Sequence, residues 1–405
     1  MEKSQFFARA RGDLDGPMHG VRVLDTTTAW AGPMVSCILA DFGCEVIHID
    51  PPGLEEQYPL NLGATGLGYM GQTVNRNKLG ITLDLRTEEG RDVYLALVAD
   101  TDIVVENFRP GTLAGWGIGY EECRAVKDDI VYVSVSGWGQ YGPWSDRAGY
   151  DPAALAAGGW MSLNGSADGP PVKAPTFLAD DLAGLHGALG AMAALHHRNQ
   201  TGEGQQVDVA LLDALLFQCD GLLSLAATGT DLHRWGSQVS VTHPCDVYDC
   251  SDGSVYLAIA LDPHWARLAR LMGRNDLVDA PGFATNKERI NNREPVTAAV
   301  AEWCRTRTTD EVLEAVLEAG LVIARVNSFA DAAAEPHVAA RDMLQDTDLH
   351  NGTSAPITGP AVKFSRTPTR VRFGAPAPGA DNDTVLEQAG FDADARARFR
   401  QHGVI

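Results

Sequence analysis

Basic residues are scarce in this chain: 32 Lys and Arg stand against 53 Asp and Glu in 405 residues, a formal net charge of −21. General nucleic-acid binding needs a basic face, so that class is set aside. An anionic ligand would have to find a local basic pocket or helix N-termini, because the overall field repels it. Long apolar runs are missing too. No stretch of about 18 apolar residues occurs, which argues against a membrane-spanning helix. Residues 1–16 show no signal-peptide apolar segment. The seven cysteines (37, 44, 123, 219, 245, 250 and 304) are scattered and odd in number. Such usage fits reduced thiols in a cytoplasmic protein. His243-x-Cys245-x4-Cys250 has no second ligand pair at zinc spacing, so no metal is expected.

What is present suits an enzyme with a large core: 45% of residues are hydrophobic and 21% charged, an ordinary globular balance. Strands are predicted at 21–25, 45–50, 81–85, 102–106 and 130–136. Helices are predicted at 32–41, where Pro33 suits the first turn, and from the N-cap Thr87 to about 99. This alternation predicts an α/β fold with a mostly parallel sheet. Between 228 and 328 the pattern changes. A hairpin (245–249 and 255–261 around Ser251-Asp252-Gly253) and amphipathic helices at 264–272, 294–305 and 310–319 predict a smaller α+β domain. The Pro- and Gly-punctuated stretch 330–405 reads as a long ordered crossing segment.

Gly137-Trp138-Gly139-Gln140-Tyr141-Gly142 matches G-x-G-x-x-G after a strand. Pro143-Trp144-Ser145-Asp146 follows where a helix should open, so a structural loop is the better reading. The first strand leads into Thr26-Thr27-Thr28-Ala29-Trp30-Ala31, without the glycines a nicotinamide enzyme needs. Arg86 and Arg109 fall just past strands, where ligands gather in parallel sheets. Each could grip a phosphate or be a solvated turn arginine.

The most informative stretch is Asp180-Asp181, ahead of Leu182, Leu185, Leu189 and Met192, which recur at helical spacing along one face. One aspartate, Asp181, is assigned to the N-cap. The small neighbours Ala179, Ala183, Gly184 and Gly187 would let a substrate reach the other. With an ordinary Asp pKa of about 3.9 that carboxylate is an anion at pH 7 and needs no base to attack an acyl carbon. A polar turn at 197–205, a strand at 206–210 and an apolar helix follow.

Taken together, these segments resemble the class III CoA-transferases, the family of formyl-CoA, carnitine and bile-acid CoA-transferases, to which α-methylacyl-CoA racemase is related. The resemblance lies in Ala31-Gly32-Pro33, Asp41-Phe42-Gly43 with Glu45-Val46-Ile47, Asn75-Arg76-Asn77-Lys78, Leu83-Asp84-Leu85-Arg86, Val105 to Gly111, Ser136 to Pro143, Asp180 and Thr201-Gly202-Glu203-Gly204-Gln205. Glu335-Pro336-His337 and Pro360 to Pro368 continue it more weakly.

The resemblance implies a Rossmann-like large domain (1–222, joined by the end of 330–405), a small α+β domain (228–328), and two protomers interlocked as a ring-like homodimer. It implies a coenzyme A thioester as substrate, with no permanently bound cofactor and no metal. Asp180 would be the nucleophile, passing through acyl-aspartyl anhydride and aspartyl-CoA thioester intermediates, with Asp151 in support. CoA contacts carried over by position are Trp30, Ala31, Leu83, Asp84, Leu85, Arg86, Asn107, Phe108, Arg109, Arg147 and Tyr150. Family arginines are replaced at Pro51 and missing near Gly115, and no Gly-rich substrate loop matches Trp235 to Gln238. Oxalate and formate are therefore poor substrate candidates. Related racemases carry a histidine where Tyr150 stands, and a tyrosine of pKa about 10 is a poor base at pH 7. The transferase reading therefore leads, ahead of a 2-methylacyl-CoA racemase or epimerase and of a non-catalytic acyl-CoA-binding protein.

Overall fold

The computed structural model describes residues 1–53 and 61–405. Six short runs pair into one parallel sheet: β1 (Arg22–Thr26), β2 (Glu45–Asp50), β3 (Leu79–Thr82), β4 (Ile103–Glu106), β5 (Val131–Ser136) and β6 (Gln205–Ala210). Their order is β3-β2-β1-β4-β5-β6. β5 is buried at every position, as strands covered on both faces must be. The order reverses between β1 and β4, so the loops leaving their carboxyl ends diverge and open a crevice. β3 starts and ends earlier than predicted. Its partner β2 finishes at Asp50, opposite Thr82, and the Asp84 N–H is taken by the Val404 carbonyl at 2.8 Å.

On one face the helix Glu88–Ala99 starts at Thr87, whose Oγ1 accepts the Gly90 N–H at 3.0 Å. Its Val93, Tyr94, Leu97 and Val98 pack with Leu24, Ile49, Val104 and Tyr132 of the sheet. On the other face the helix Ala31–Asp41 rests on β1, β2, β4 and the helix Leu178–Thr201. The two helices approach closely because glycine stands at the contact. A Cβ on Gly184 would fall 2.6 Å from Met34 Cγ, and one on Gly187 would fall 2.5 Å from Val35 Cγ2.

That contact overturns one expectation. Ala179, Ala183, Gly184 and Gly187 are buried; the last two abut the neighbouring helix rather than open space for a substrate. Leu185 and Leu189 are 52% and 59% exposed. The seat against Met34 and Val35 has no room for leucine, so the small face turns inward.

The described residues form two compact units. One comprises Met1–Trp160, Lys173–Thr230 and Pro336–Ile405, the other Met161–Val172 and Asp231–Glu335. Residues 161–172, read from sequence as part of the large domain, fall in the second unit, because the Arg234 guanidinium donates to the carbonyls of Ser162, Ser166 and Gly169. That unit's hairpin, Cys245–Asp249 with Ser254–Ala258, gains an unforeseen third strand, Val322–Arg325, giving an antiparallel sheet. His243 is buried there, its Nε2 3.2 Å from the Arg293 carbonyl and 3.1 Å from Thr297 Oγ1.

The chain's last part is more than a crossing segment. Leu344–Asp348 pairs with Ser354–Thr358, and the helices Asn382–Gln388 and Ala393–Gln401 follow. Val385, Leu386 and Phe399 join the core beside the helix Glu88–Ala99, and Thr82 donates its N–H to Asn382 Oδ1 at 2.9 Å. Their apolar side chains, rather than the prolines, decide where this part docks.

Candidate active site

A cavity of about 170 Å³ opens where the strand order reverses. Its walls come from the loops after β1 (28–31), β4 (107–110) and β5 (135–138), from the 145–150 segment and from Asp180. The first two loops are tied together: Asn107 accepts the Thr28 N–H at 2.8 Å and donates to the Thr28 carbonyl at 2.7 Å. Ala29 sits at φ +65° in this loop, a left-handed conformation that a non-glycine residue holds only when its surroundings enforce it. The third and fourth walls touch through glycines. A Cβ on Gly137 would lie 2.7 Å from Gly149 Cα. Gly139 and Gly142 have positive φ and no helix opens after them, so this loop shapes a wall.

Beneath the β1 loop lies a buried polar strut. The Lys78 ammonium donates to Asp25 Oδ2 (2.8 Å), Asn75 Oδ1 (2.8 Å) and the Pro33 carbonyl (3.0 Å). It thereby fixes the first turn of the helix Ala31–Asp41. Arg76 pairs with Asp41 at 2.7 Å. The Asn75–Lys78 stretch is thus structural support, with its charges spent internally.

Asp180 and Asp181 both lie in the first turn of the helix Leu178–Thr201. Neither caps it. Phe177 occupies the N-cap without a side-chain bond, and the Ala179 N–H is instead accepted by Asp151 Oδ1 at 2.7 Å. A carboxylate from another helix supplies the acceptor that Asp181 was expected to provide. Asp181 instead accepts the Trp30 indole N–H at 2.7 Å, and the Trp30 ring meets Phe177 at 5.2 Å. Asp151 is 1% exposed, and its Oδ2 has no hydrogen-bond partner among the described residues.

The partly buried Asp180 carboxyl reaches the cavity. Burial, then the charges of Asp151 and Asp181, push its pKa up to about 7, with Lys173 opposing. The expectation of a fully ionised carboxylate at neutral pH is corrected: desolvation and two like charges outweigh the helix N-terminus. Burial raises Asp151 and Asp181 as well.

Of the residues expected to contact CoA, the cavity gathers Trp30, Ala31, Asn107, Phe108, Arg109, Arg147 and Tyr150. It does not include Leu83, Asp84, Leu85 or Arg86. Leu83 and Leu85 are core side chains, and exposed Arg86 is engaged by Asp84 in two hydrogen bonds of 2.8 and 3.0 Å. Among the described residues no carboxylate pairs with Arg109 or Arg147. Arg147 lies over the Trp144 ring at 4.8 Å. Tyr150 is 72% exposed. Trp138 lines the cavity, whereas Trp160 donates to the Leu215 carbonyl away from it. In a chain of net charge −21, Arg109 and Arg147 form a local basic wall that an anionic ligand can use.

A family model described as CoA-transferase family III matches residues 18–382. The chain belongs to CoA-transferase family III. It is therefore an enzyme, a CoA-transferase. Similar proteins include a succinyl-CoA–D-citramalate CoA-transferase of Chloroflexus aurantiacus, 34% identical over 96% of this chain and 98% of that one. A succinyl-CoA:mesaconate CoA-transferase of Haloarcula hispanica is 35% identical over 93% and 97%. Among solved structures, a CAIB/BAIF family protein from Brucella suis superposes with a TM-score of 0.82 at 30% identity, covering 93% of this chain and all of that one.

Sequence reasoning overlooked three residues around this family III site. Lys173 stands with its Nζ 3.9 Å from Asp151 Oδ2, and Phe177 bridges it to Trp30. Glu106, buried at the end of β4, accepts the Phe108 N–H at 2.8 Å and so sets the turn that carries Arg109. Burial pushes its carboxyl to about 7. Glu106 lies inside the motif running from Val105 to Gly111, so that motif was the available signal. For Lys173 there was none, because its role depends on a contact with Asp151, 22 positions away.

Proposed function

We propose that this protein transfers coenzyme A between an acyl-CoA and a carboxylic acid, with Asp180 as the covalent carrier. The observation that carries the reading is the placement of the Asp180 carboxyl in a cavity lined by Arg109 and Arg147, neither of which pairs with a carboxylate among the described residues. The arginines would take the phosphates of CoA, and the crevice would admit its thioester end. The names of the relatives point to small dicarboxylic acids as substrates.

In the proposed sequence an Asp180 oxygen attacks the thioester carbonyl. The C–S bond breaks, leaving an acyl-aspartyl anhydride and the CoA thiolate. The thiolate attacks Asp180 Cγ and expels the first carboxylate, giving an aspartyl-CoA thioester. The acceptor carboxylate attacks Cγ in turn, and the released thiolate takes the new acyl group from the second anhydride. Asp180 returns as a carboxylate, and no net proton or electron is exchanged. Splitting the exchange into acyl transfers is what a covalent carrier provides. Backbone N–H groups near the helix start would stabilise each oxyanion.

Asp151, as acceptor for the Ala179 N–H, would hold the first turn in place. Tyr150 at the racemase histidine position supports transfer over α-proton exchange. The same reading makes the protein a cytoplasmic homodimer with Rossmann-like large domains interlocked. The test is a screen of acyl-CoA donors against carboxylic acids by mass spectrometry. New acyl-CoA formed by wild type and lost in Asp180→Asn supports the reading. Full activity of that variant, or α-deuterium washout in D2O without an acceptor, contradicts it.

A further inference from the structure

Three carboxylates, Asp151, Asp180 and Asp181, crowd the start of one helix, and Lys173 is the cation that acts on Asp180 among the described residues. A substrate with a second carboxylate would add another negative charge there. Without a cation to receive it, such a substrate would be repelled.

Lys173 stands beside the Asp180 cavity rather than in its wall, within reach of Asp151. Its ammonium has three N–H donors. Two are spent on the carbonyls of Ala174 and Thr176. It also faces Asp151 Oδ2, at 3.9 Å too far for a hydrogen bond. The ammonium also lies 5.7 Å from the Phe177 ring centre, and Phe177 packs on the cavity-lining Trp30. The side chain is 38% exposed.

Resting on the transferase reading, we propose that Lys173 receives the remote carboxylate of a dicarboxylic acyl group and so selects dicarboxylic over monocarboxylic substrates. Arg109 and Arg147 remain for the CoA phosphates. A carboxylate bound there compensates the Lys173 ammonium, whereas the methyl end of a monocarboxylic chain would displace its solvent without replacing those interactions.

The test is identity exchange, which has no equilibrium bias: succinyl-CoA with labelled succinate, and butyryl-CoA with labelled butyrate. The two acyl groups have the same chain length and differ in the remote carboxylate. The expected result is a wild-type preference for the succinyl pair that falls about tenfold or more in Lys173→Met, the loss typical of a charged hydrogen bond. Lys173→Arg should keep most of the preference. A succinyl-to-butyryl ratio that stays within about threefold in Lys173→Met, even with both rates reduced, overturns the inference alone. A wild-type enzyme that prefers the butyryl pair does the same. Absence of exchange with either pair, or with any other donor and acid, overturns the transferase reading and this inference with it.

Discussion

Asp180 combines two demands that oppose each other. A nucleophilic carboxylate must be ionised, yet its surroundings raise its pKa to about 7. Below that value the carboxyl is mostly protonated and unable to attack. The kcat/KM for acyl-CoA should therefore rise about tenfold per pH unit below 7 and level off above it. A profile flat from pH 5 to 8 would contradict this assignment. Stability runs the other way. The folded pKa lies above the unfolded value of 3.8, so the folded state binds the proton more tightly, and Asp180 costs stability as pH rises from about 4 through 7. Asp180→Asn should gain on the order of 1–2 kcal/mol over wild type at pH 8, with the difference vanishing near pH 4; this allows for solvent at a partly exposed group. Denaturant unfolding at the two pH values checks it. Sequence placed the acidic pair at the helix start but assigned the cap to Asp181, which instead accepts the Trp30 indole N–H. The cap comes from Asp151, 28 positions away from Ala179, and no local pattern encodes that bond.

At the scale of elements, the alternation of strands and helices was legible because period and turn chemistry are local. Which face of the helix Leu178–Thr201 turns inward was not. The leucines recur along one face, while the glycine seats against Met34 and Val35 set the face that turns inward. Gly187→Ala places a methyl 2.5 Å from Val35 Cγ2 and should cost about 1–3 kcal/mol. Gly115→Ala, whose Cβ meets nothing within 4 Å, should be neutral or slightly stabilising. Equal effects of the two in thermal unfolding would show that the helix contact is looser than described. The Asn107 bridge to Thr28 belongs to the same scale. Asn107→Ala should raise KM for acyl-CoA more than it lowers kcat, because it frees one wall of the cavity from another.

At the scale of the whole molecule, three of the family motifs, those at 31–33, 105–111 and 136–143, lie at or past the carboxyl ends of β1, β4 and β5, brought together by a strand order that no single motif reveals. The stretch 330–405 was the least legible part, since its docking depends on pairing Gly80 and Thr82 with Asp381 and Asn382, 301 and 300 positions on. Exposed Leu185 and Leu189 leave an apolar face that the proposed homodimer would cover. Light scattering should give twice the protomer mass, and a monomer at micromolar concentration would oppose that proposal. The central claim is the covalent role of Asp180, and trapping tests it most directly. The enzyme is incubated with acyl-CoA, quenched with hydroxylamine or borohydride, and mapped by peptide mass spectrometry. Modification at Asp180 that requires acyl-CoA and spares Asp151 and Asp181 is the predicted result. Turnover in the same sample with Asp180 unmodified would contradict it.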